Sequence, residues 1–190
     1  MVLVVIAIMT SMAMLSFGVL GRDSQAEEEA RRFWVVLQQA REEAELQAED
    51  LGLFIAADAY EYLRFDQRRN EWQVIDGDQL FGQRQLAEGL RFRLRVDSRD
   101  IVMQPDLPNR GDKDENDKWP PQVTVLSSGE VMPFELEIER DGAPSLWRVT
   151  ALADNDLRVE NRDERNAWGP VLQTKESPDD QRDTRVSSAR

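Results

Sequence analysis

The spacing of apolar residues divides the chain into two unequal parts. The first twenty residues contain no charged side chain, whereas the sequence beyond Gly21 is rich in Asp, Glu and Arg. A helix rises about 1.5 Å per residue, so this stretch would be roughly 30 Å long, the thickness of the hydrocarbon core of a bilayer. We therefore expect residues 1–20 to form a transmembrane helix. Residues expected in this span include Met1, Val5, Ile8, Leu15 and Leu20.

An amphipathic helix is predicted to continue from the span through residues 21–51. Its apolar residues recur at intervals of three and four, which places them on one helical face. Gly52 follows the last of them and suits the position just after a helix C-terminus. Span and amphipathic half would thus form one continuous N-terminal helix. The residues expected to pack on the core are Phe33, Leu37, Ala44 and Leu51.

Alternation with a period of two, which is typical of β-strands, replaces the helical spacing between residues 52 and 160. Residues 90–96 (LRFRLRV) alternate apolar side chains with arginine, and residues 134–139 (FELEIE) alternate them with glutamate. If these strands are neighbours, opposite charges should pair across the sheet at roughly 0.2–1 kcal/mol per pair. We favour this arrangement over an intermolecular role for the two charged rows. Further strands are predicted at residues 53–57, 59–65, 71–75, 122–126 and 146–152.

One helix followed by a run of strands indicates an α+β fold with antiparallel sheets. Two segments lack any periodicity. Residues 104–121 are charged and bounded by prolines, so we expect an exposed loop. Residues 161–190 contain too few apolar side chains to offset chain entropy, which predicts a disordered C-terminal tail. Trp119 and Trp168 stand out in these polar segments, and each should either pack back onto its own domain or contact a partner.

Composition argues against catalysis and against nucleic-acid binding. The chain has a formal net charge of −13 and contains neither cysteine nor histidine. It therefore has no thiol nucleophile, no histidine base and no Cys/His zinc ligands, and its acidic surface repels phosphate backbones. We predict no enzyme activity, no cofactor and no metal site. Residues 112–117 show the alternation of a calcium loop, but Asp117 and Val123 stand where that loop needs glycine and glutamate, so a solvated charge run is favoured.

A secretory signal peptide is the alternative interpretation of the N-terminal segment. No Lys or Arg precedes the apolar run, and the weak cleavage candidate at residues 11–13 would cut inside it. These features favour an uncleaved span. Because flanking basic residues are absent, the positive-inside rule does not assign its orientation.

Several segments together carry a family resemblance that extends from Met1 to about Val159. They are the apolar N-terminus, the helical segment LQQAREEAELQAEDLGL (residues 37–53) and the strands containing VLSSGE (residues 125–130) and MPFELE (residues 132–137). In these segments the chain resembles pilin-like proteins, and most of all the H-type minor pseudopilins of type II secretion systems.

The resemblance implies a pilin-like fold, with a long N-terminal helix packed on antiparallel sheets. It implies a single span in the bacterial inner membrane, with the globular domain in the periplasm. The implied function is structural: a subunit near the tip of the periplasmic pseudopilus that helps assembly and the export of folded proteins across the outer membrane. The implied partners are the I-, J- and K-type minor pseudopilins, the major pseudopilin, inner-membrane lipid, secreted proteins, and prepilin peptidase if a full-length N-terminus exists.

The start of the sequence departs from that family. Members carry a basic leader, a Gly-Phe cleavage junction and a glutamate just before the segment that aligns with residues 1–5. None of these is present here, so we expect the sequence to begin at an internal methionine, and no processing or methylation residue is transferred to it.

Three other functions remain open. A type IV pilus-like minor pilin would show salt-dependent binding to DNA. A single-span periplasmic adaptor without a filament role would be a monomer that does not co-purify with pseudopilins. An enzyme would need a pair of carboxylates that folding brings together, and the sequence does not reveal such a pair.

Overall fold

The computed structural model describes residues 2–75, 77–110, 119–140 and 142–175, with side chains described from Ser24 onward. One helix, α1 (Val2–Gln47), is followed by eleven strands in this part of the chain. The strands are β1 (Leu51–Ile55), β2 (Ala59–Asp66), β3 (Glu71–Val74), β4 (Arg84–Gln85), β5 (Leu90–Val96), β6 (Arg99–Asp100), β7 (Val123–Val125), β8 (Phe134–Arg140), β9 (Ala143–Ala151), β10 (Leu157–Arg162) and β11 (Trp168–Gln173).

The strands form two antiparallel sheets, which confirms the predicted α+β class. The first sheet has the order β3-β2-β1-β7, with β4 beside β2, and the second has the order β11-β10-β9-β8-β5-β6. The helix lies mainly against β9 and β10 of the second sheet. The indole Nε1 of Trp34 fixes it there by donating a hydrogen bond to the backbone oxygen of Leu157 at 3.1 Å.

The main core lies between the helix and the inner faces of both sheets. Phe33 is at its centre, with its ring centroid 5.2 Å from that of Tyr60, 6.1 Å from Phe92 and 6.3 Å from Phe134. Rings at these separations and steep angles are held by edge-to-face contacts as well as by burial. The other helix positions expected in the core, Leu37 and Ala44, are fully buried in the same cluster.

The helix ends earlier than predicted. It stops at Gln47 rather than Leu51, and the next residue, Ala48, has a left-handed φ of 53°. The backbone N–H groups of Ala48 and Glu49 donate to carbonyls of the last helical turn at 3.4 and 3.2 Å. This Schellman arrangement closes the helix with alanine in a position that glycine usually occupies.

Leu51 and Gly52 belong to β1, so the helical roles predicted for them are wrong. Leu51 is buried, but it reaches the core from a strand, which is why it matched the apolar spacing of the helix. Gly52 leaves room for two side chains that pack on this strand. A Cβ at this position would lie 2.6 Å from Pro121 Cγ and 2.8 Å from Trp72 Cζ3.

The arginine and glutamate rows lie on neighbouring strands, as predicted. β5 and β8 are antiparallel and pair in a register that places Arg93 opposite Glu137 and Arg95 opposite Glu135. The predicted strands all exist, with ends that shift by up to three residues. The sequence did not predict β4, β6, β10 or β11. The first two have only two residues each, β10 is rich in polar side chains, and β11 contains glycine and proline, which are unfavourable in strands.

The prediction of a disordered tail from residue 161 is wrong as far as residue 175. Residues 157–162 and 168–173 form the hairpin of β10 and β11, which extends the second sheet at one edge. The polar composition misled the prediction because backbone pairing and polar side-chain contacts, rather than apolar burial, hold β11. Residues 176–190 lie outside the described part of the chain.

Asp156 fastens the far end of β11 to the start of β10. Its carboxylate accepts hydrogen bonds from Thr174 Oγ1 at 2.8 Å, from Lys175 N at 3.0 Å and from Arg158 Nε at 2.7 Å. Desolvation by burial raises the pKa of Asp156, but the hydrogen bonds from Thr174 and Arg158 outweigh it, and the pKa lies below its ordinary value. The ionised carboxylate is therefore the form that the folded state prefers.

No helix in the part of the chain with described side chains is long and apolar enough to cross a membrane. The predicted span, with Met1, Val5, Ile8, Leu15 and Leu20, lies outside that part, as does the whole calcium-like segment at residues 112–117.

Candidate assembly surfaces

Trp119 packs back onto its own domain. It contacts a second, smaller apolar cluster on the face of the first sheet that points away from α1. The buried members of this cluster are Phe54, Ala56, Ala59 and Leu63, and the side chains packed against them include Trp72, Leu107 and Trp119. Trp119 keeps part of its surface exposed, so it covers the cluster and is still accessible at the edge of the loop.

A buried ion pair holds the same loop on the sheet. Arg110 Nε lies 2.7 Å from Glu61 Oε1, and the two side chains are 5% and 0% exposed. Arg110 Nη1 also donates to the backbone oxygen of Trp119 at 2.7 Å, and the guanidinium lies 4.9 Å from the ring centroid of Phe54. Gln83 Nε2 donates to the other oxygen of Glu61 at 3.3 Å.

The prediction that residues 104–121 form an exposed loop is therefore wrong at Arg110. In the sequence, Arg110 is one charge among many and Glu61 is a polar residue in a strand. The two are 49 positions apart, and no local pattern connects them. Residues 111–118 lie outside the described part of the chain.

Trp168 also makes contacts within its own sheet. Two guanidinium groups lie over its ring, with the Cζ of Arg148 at 4.5 Å and that of Arg162 at 5.1 Å from the ring centroid. Arg148 in turn pairs with Glu160 at 2.6 Å and with Glu135 at 3.2 Å. The tryptophan therefore covers a charge network and holds β11 against the rest of the sheet.

A groove of about 580 Å³ runs along the exposed side of α1. The helix forms one wall, and Leu80, in the segment between β3 and β4, forms part of the other. Two large apolar side chains remain open to solvent in it, Val35 at 49% and Leu80 at 38% exposure. The sequence carries one signal of this surface: residues 33–37 (FWVVL) are all apolar, which is more than one buried helical face requires.

The segment that bears Leu80 is fastened to the domain at two points. Phe81 is buried beside Tyr62, with ring centroids 5.3 Å apart. Arg84 Nη2 lies 2.8 Å from the Oε1 of Glu29, a helix residue whose side chain is 9% exposed. These contacts give the groove a preformed wall on each side.

Tyr60 and Tyr62, which are buried in the core, are not activated as nucleophiles. Burial raises the pKa of Tyr60, and the carboxylate of Glu29 adds to that rise. Burial raises the pKa of Tyr62 well above its ordinary value. Both side chains therefore stay neutral at physiological pH, and their aromatic contacts give them a structural role. Within the described ranges, no three acidic side chains converge as metal ligands would.

No family model matches the sequence. Individual proteins and solved structures that are similar to the chain, however, agree on one family. A type II secretion system protein H from Vibrio cholerae is 31% identical to the chain and aligns over 84% of the chain and 89% of its own length. A protein of the same name from Pseudomonas aeruginosa is 27% identical, over 83% of the chain and 87% of its length.

The fold agrees with the sequence. The crystal structure of the minor pseudopilin EpsH from the type II secretion system of Vibrio cholerae matches with a TM-score of 0.59 and 32% identity. That match covers 72% of the chain and 95% of the EpsH structure, so both proteins have the pilin-like fold of one N-terminal helix against antiparallel sheets. Because the Vibrio cholerae relative exceeds 30% identity over most of both lengths, the chain belongs to the type II secretion system protein H family, the minor pseudopilins that serve as structural subunits of the pseudopilus.

Proposed function

We propose that the chain works near the tip of the type II secretion pseudopilus, in the cell envelope, and there supports export of folded proteins across the outer membrane. Its partners are the I-, J- and K-type minor pseudopilins and the major pseudopilin. Prepilin peptidase is a further partner if a full-length N-terminus with a leader exists. The observation that carries this proposal is the agreement of sequence and fold with a solved minor pseudopilin over 95% of that structure.

The N-terminal segment has a separate role as the membrane anchor. Residues 1–20, with Met1, Val5, Ile8, Leu15 and Leu20, form a single span of the inner membrane, and the globular domain lies in the periplasm. Two observations support this: the uncharged sequence of that stretch, and the continuity of the α1 backbone from Val2 into the part of the helix that packs on the domain. An unbroken helix would transmit force from the membrane segment to the sheets.

The helix packing holds the anchor and the sheets together as one mechanical unit. Phe33, Leu37 and Ala44 fix α1 in the core, and Leu51 continues that core into β1. The surfaces that remain for neighbouring subunits include the exposed parts of Trp119 and Trp168, whose positions are set by contacts with their own sheets. Structural subunits of this kind need stable surfaces rather than reactive groups.

This function can be tested by measuring protein export in cells from which the chain has been deleted. We expect type II substrates to remain in the periplasm, and the full chain to restore their appearance in the medium. Leu37→Asp should fail to restore export, because it places an unpaired charge where exposure is 0%. Val102→Asp is the matched control, since Val102 is 89% exposed. Normal export without the chain would contradict the proposal.

A further inference from the structure

A second groove lies between the end of β7 and the turn that joins β9 to β10. It has a volume of about 350 Å³ and is lined by side chains from residues 124–133 and by Ala153 and Asn155 of the turn. Two large apolar side chains are open to solvent in this β7 groove, Leu126 at 41% and Met132 at 39% exposure. Because most side chains of their kind on this domain are buried, the pair marks a candidate docking surface.

A short β-ladder sets the direction of these side chains. Val125 pairs with Val131, and both are buried in the main core. Since successive side chains of an extended strand point to opposite faces, Leu126, Glu130 and Met132 point away from that core and into the groove. The groove therefore has two apolar groups and one carboxylate on a single face.

Asn155 holds the outer edge of this ladder. Its Oδ1 accepts a hydrogen bond from Val131 N at 3.1 Å, and its Nδ2 donates to the backbone oxygen of Gly129 at 3.2 Å. The backbone groups that an added strand would need here are therefore already paired. A ligand of the groove must bind through its side chains.

The chain beyond β11 leaves the domain beside this groove. The Nζ of Lys175 lies 3.2 Å from an oxygen of Asp154, which stands between Ala153 and Asn155 in the turn. The backbone N–H of Lys175 donates to Asp156 of the same turn at 3.0 Å. Residues 176–190, the C-terminal segment, therefore begin at the rim of the β7 groove.

The charges around the groove favour a cationic ligand. Glu130 lines it as an exposed carboxylate and makes no ion pair among the described residues. At the adjoining turn, residues 127–130, Asp50 accepts a backbone hydrogen bond at 2.7 Å, and the Glu45 side chain lies against the backbone. Arg41 is at this turn as well, where its Nε donates to a backbone oxygen at 2.9 Å. Among the described residues, carboxylates thus outnumber guanidinium groups at this turn.

The C-terminal segment contains an apolar and a cationic residue side by side. Val186 is its one large aliphatic side chain, and Arg185 precedes it. We propose that Val186 docks on Leu126 and Met132 in the β7 groove of its own chain, and that Arg185 pairs with Glu130. The docked segment covers two apolar side chains and closes this surface to other proteins. This inference concerns the chain by itself and does not depend on the proposed function.

The spacer between the domain and the docking pair has a suitable length. Val186 is eleven residues beyond Lys175, and a flexible spacer of that length has a root-mean-square span of roughly 18 Å. A tether that short gives a local concentration in the millimolar range, so a weak contact is sufficient. The acidic residues of the spacer find no cation among the side chains that line the groove, and the spacer therefore loops out into solvent.

Disulfide trapping in the full chain tests the contact, because the sequence contains no cysteine of its own. Met132→Cys combined with Ser187→Cys places one thiol in the groove and one next to the docking pair. Val171→Cys combined with Ser187→Cys is the matched control, since Val171 is 41% exposed and lies on β11, close to the start of the segment. We expect the groove pair to form its intramolecular disulfide about tenfold faster than the control under mild oxidation, as measured by mass spectrometry of the linked peptides.

Two other results would overturn the inference. Equal rates for the two cysteine pairs would mean that the segment does not prefer the groove. Disulfides that form only between two chains, in dilute protein, would make a second copy the occupant. As a further check, Val186→Asp should reduce the rate of the groove pair to that of the control, whereas Ala189→Asp should leave it unchanged. Circular dichroism verifies that both variants keep the fold.

A charge exchange tests the ionic part of the contact. Arg185→Glu should slow formation of the groove disulfide by about two- to fivefold, as expected for an exposed ion pair, and Glu130→Arg added to it should restore the rate. Arg190→Glu is the matched control, because it changes the charge of the segment equally. Equal rates for the Arg185 and Arg190 variants, or no recovery in the exchanged pair, would refute the pairing with Glu130.

Discussion

Arg110→Met should destabilise the domain severely although it replaces one side chain in a loop. The substitution keeps most of the side-chain volume and removes the charge that pairs with Glu61. Glu61 is 0% exposed, and after the substitution Gln83 Nε2 would still donate a hydrogen bond to one of its carboxylate oxygens at 3.3 Å. A buried carboxylate without its cation cannot recover the solvation that it lost on folding.

The expected magnitude follows from the burial of both partners. Removing one member of a buried ion pair typically costs about 3–5 kcal/mol, whereas replacing both with apolar residues of similar size is often close to neutral. Arg110→Met should therefore cost about 3–5 kcal/mol, and Glu61→Leu combined with Arg110→Met should recover the part of that loss that comes from the unpaired carboxylate. The double variant would still lose the hydrogen bond from the charged Arg110 side chain to the Trp119 backbone, which has a net value of about 1.5–3 kcal/mol.

Urea unfolding of the purified full chain, followed by circular dichroism and tryptophan fluorescence, measures these changes. The matched control is Arg64→Met on β2. Arg64 pairs with Glu49 at 3.0 Å, but the two side chains are 45% and 43% exposed. This control should cost less than about 1 kcal/mol. A similar small cost for Arg110→Met, or a double variant as unstable as the sum of the single variants, would refute the reasoning.

Three further changes have predicted effects on the free energy of unfolding. Ala48→Gly should stabilise the chain by about 1 kcal/mol, because glycine adopts the left-handed φ of this helix end without strain; a loss of stability would contradict that assignment. Gly52→Ala should destabilise it by about 1–3 kcal/mol, since the new Cβ would meet Pro121 at 2.6 Å; an unchanged urea midpoint would show that the neighbours move freely. Asp156 has a lowered pKa, so its contribution is present above the unfolded value of about 3.9 and disappears as the pH falls through the folded value. Asp156→Asn should thus be less stable than the native chain at pH 7 and approach it in acid, and a pH-independent difference would contradict the role of the carboxylate.

Local periodicity was sufficient to predict the elements that form the main core. The paired β5 and β8 show why: their apolar and charged residues alternate without exception, so both the strand assignment and the charge pairing could be made before the structure was known. The apolar spacing also predicted the helix correctly up to its last turn. Its end was misplaced because Leu51 continues the apolar spacing from within the next strand, and alanine rather than glycine occupies the left-handed position.

The candidate surfaces were less accessible to sequence reasoning because they depend on contacts between distant residues. Trp168 was assigned to a disordered tail, but two arginines from other strands hold it in a sheet. Arg110 looked like a solvated charge, and only folding brings it to a carboxylate in β2. The groove depends on Leu80, whose position is fixed by a turn and an ion pair that no periodic pattern encodes.

The most direct test of the account is to isolate the full chain from the envelope of its native cells after mild crosslinking and to identify the proteins bound to it. The account predicts that other minor pseudopilins and the major pseudopilin are recovered with it, and that Leu37→Asp, which disrupts the core, abolishes their recovery. A stable chain recovered alone, with export unaffected by its removal, would contradict a structural role in the pseudopilus and favour an anchored periplasmic adaptor.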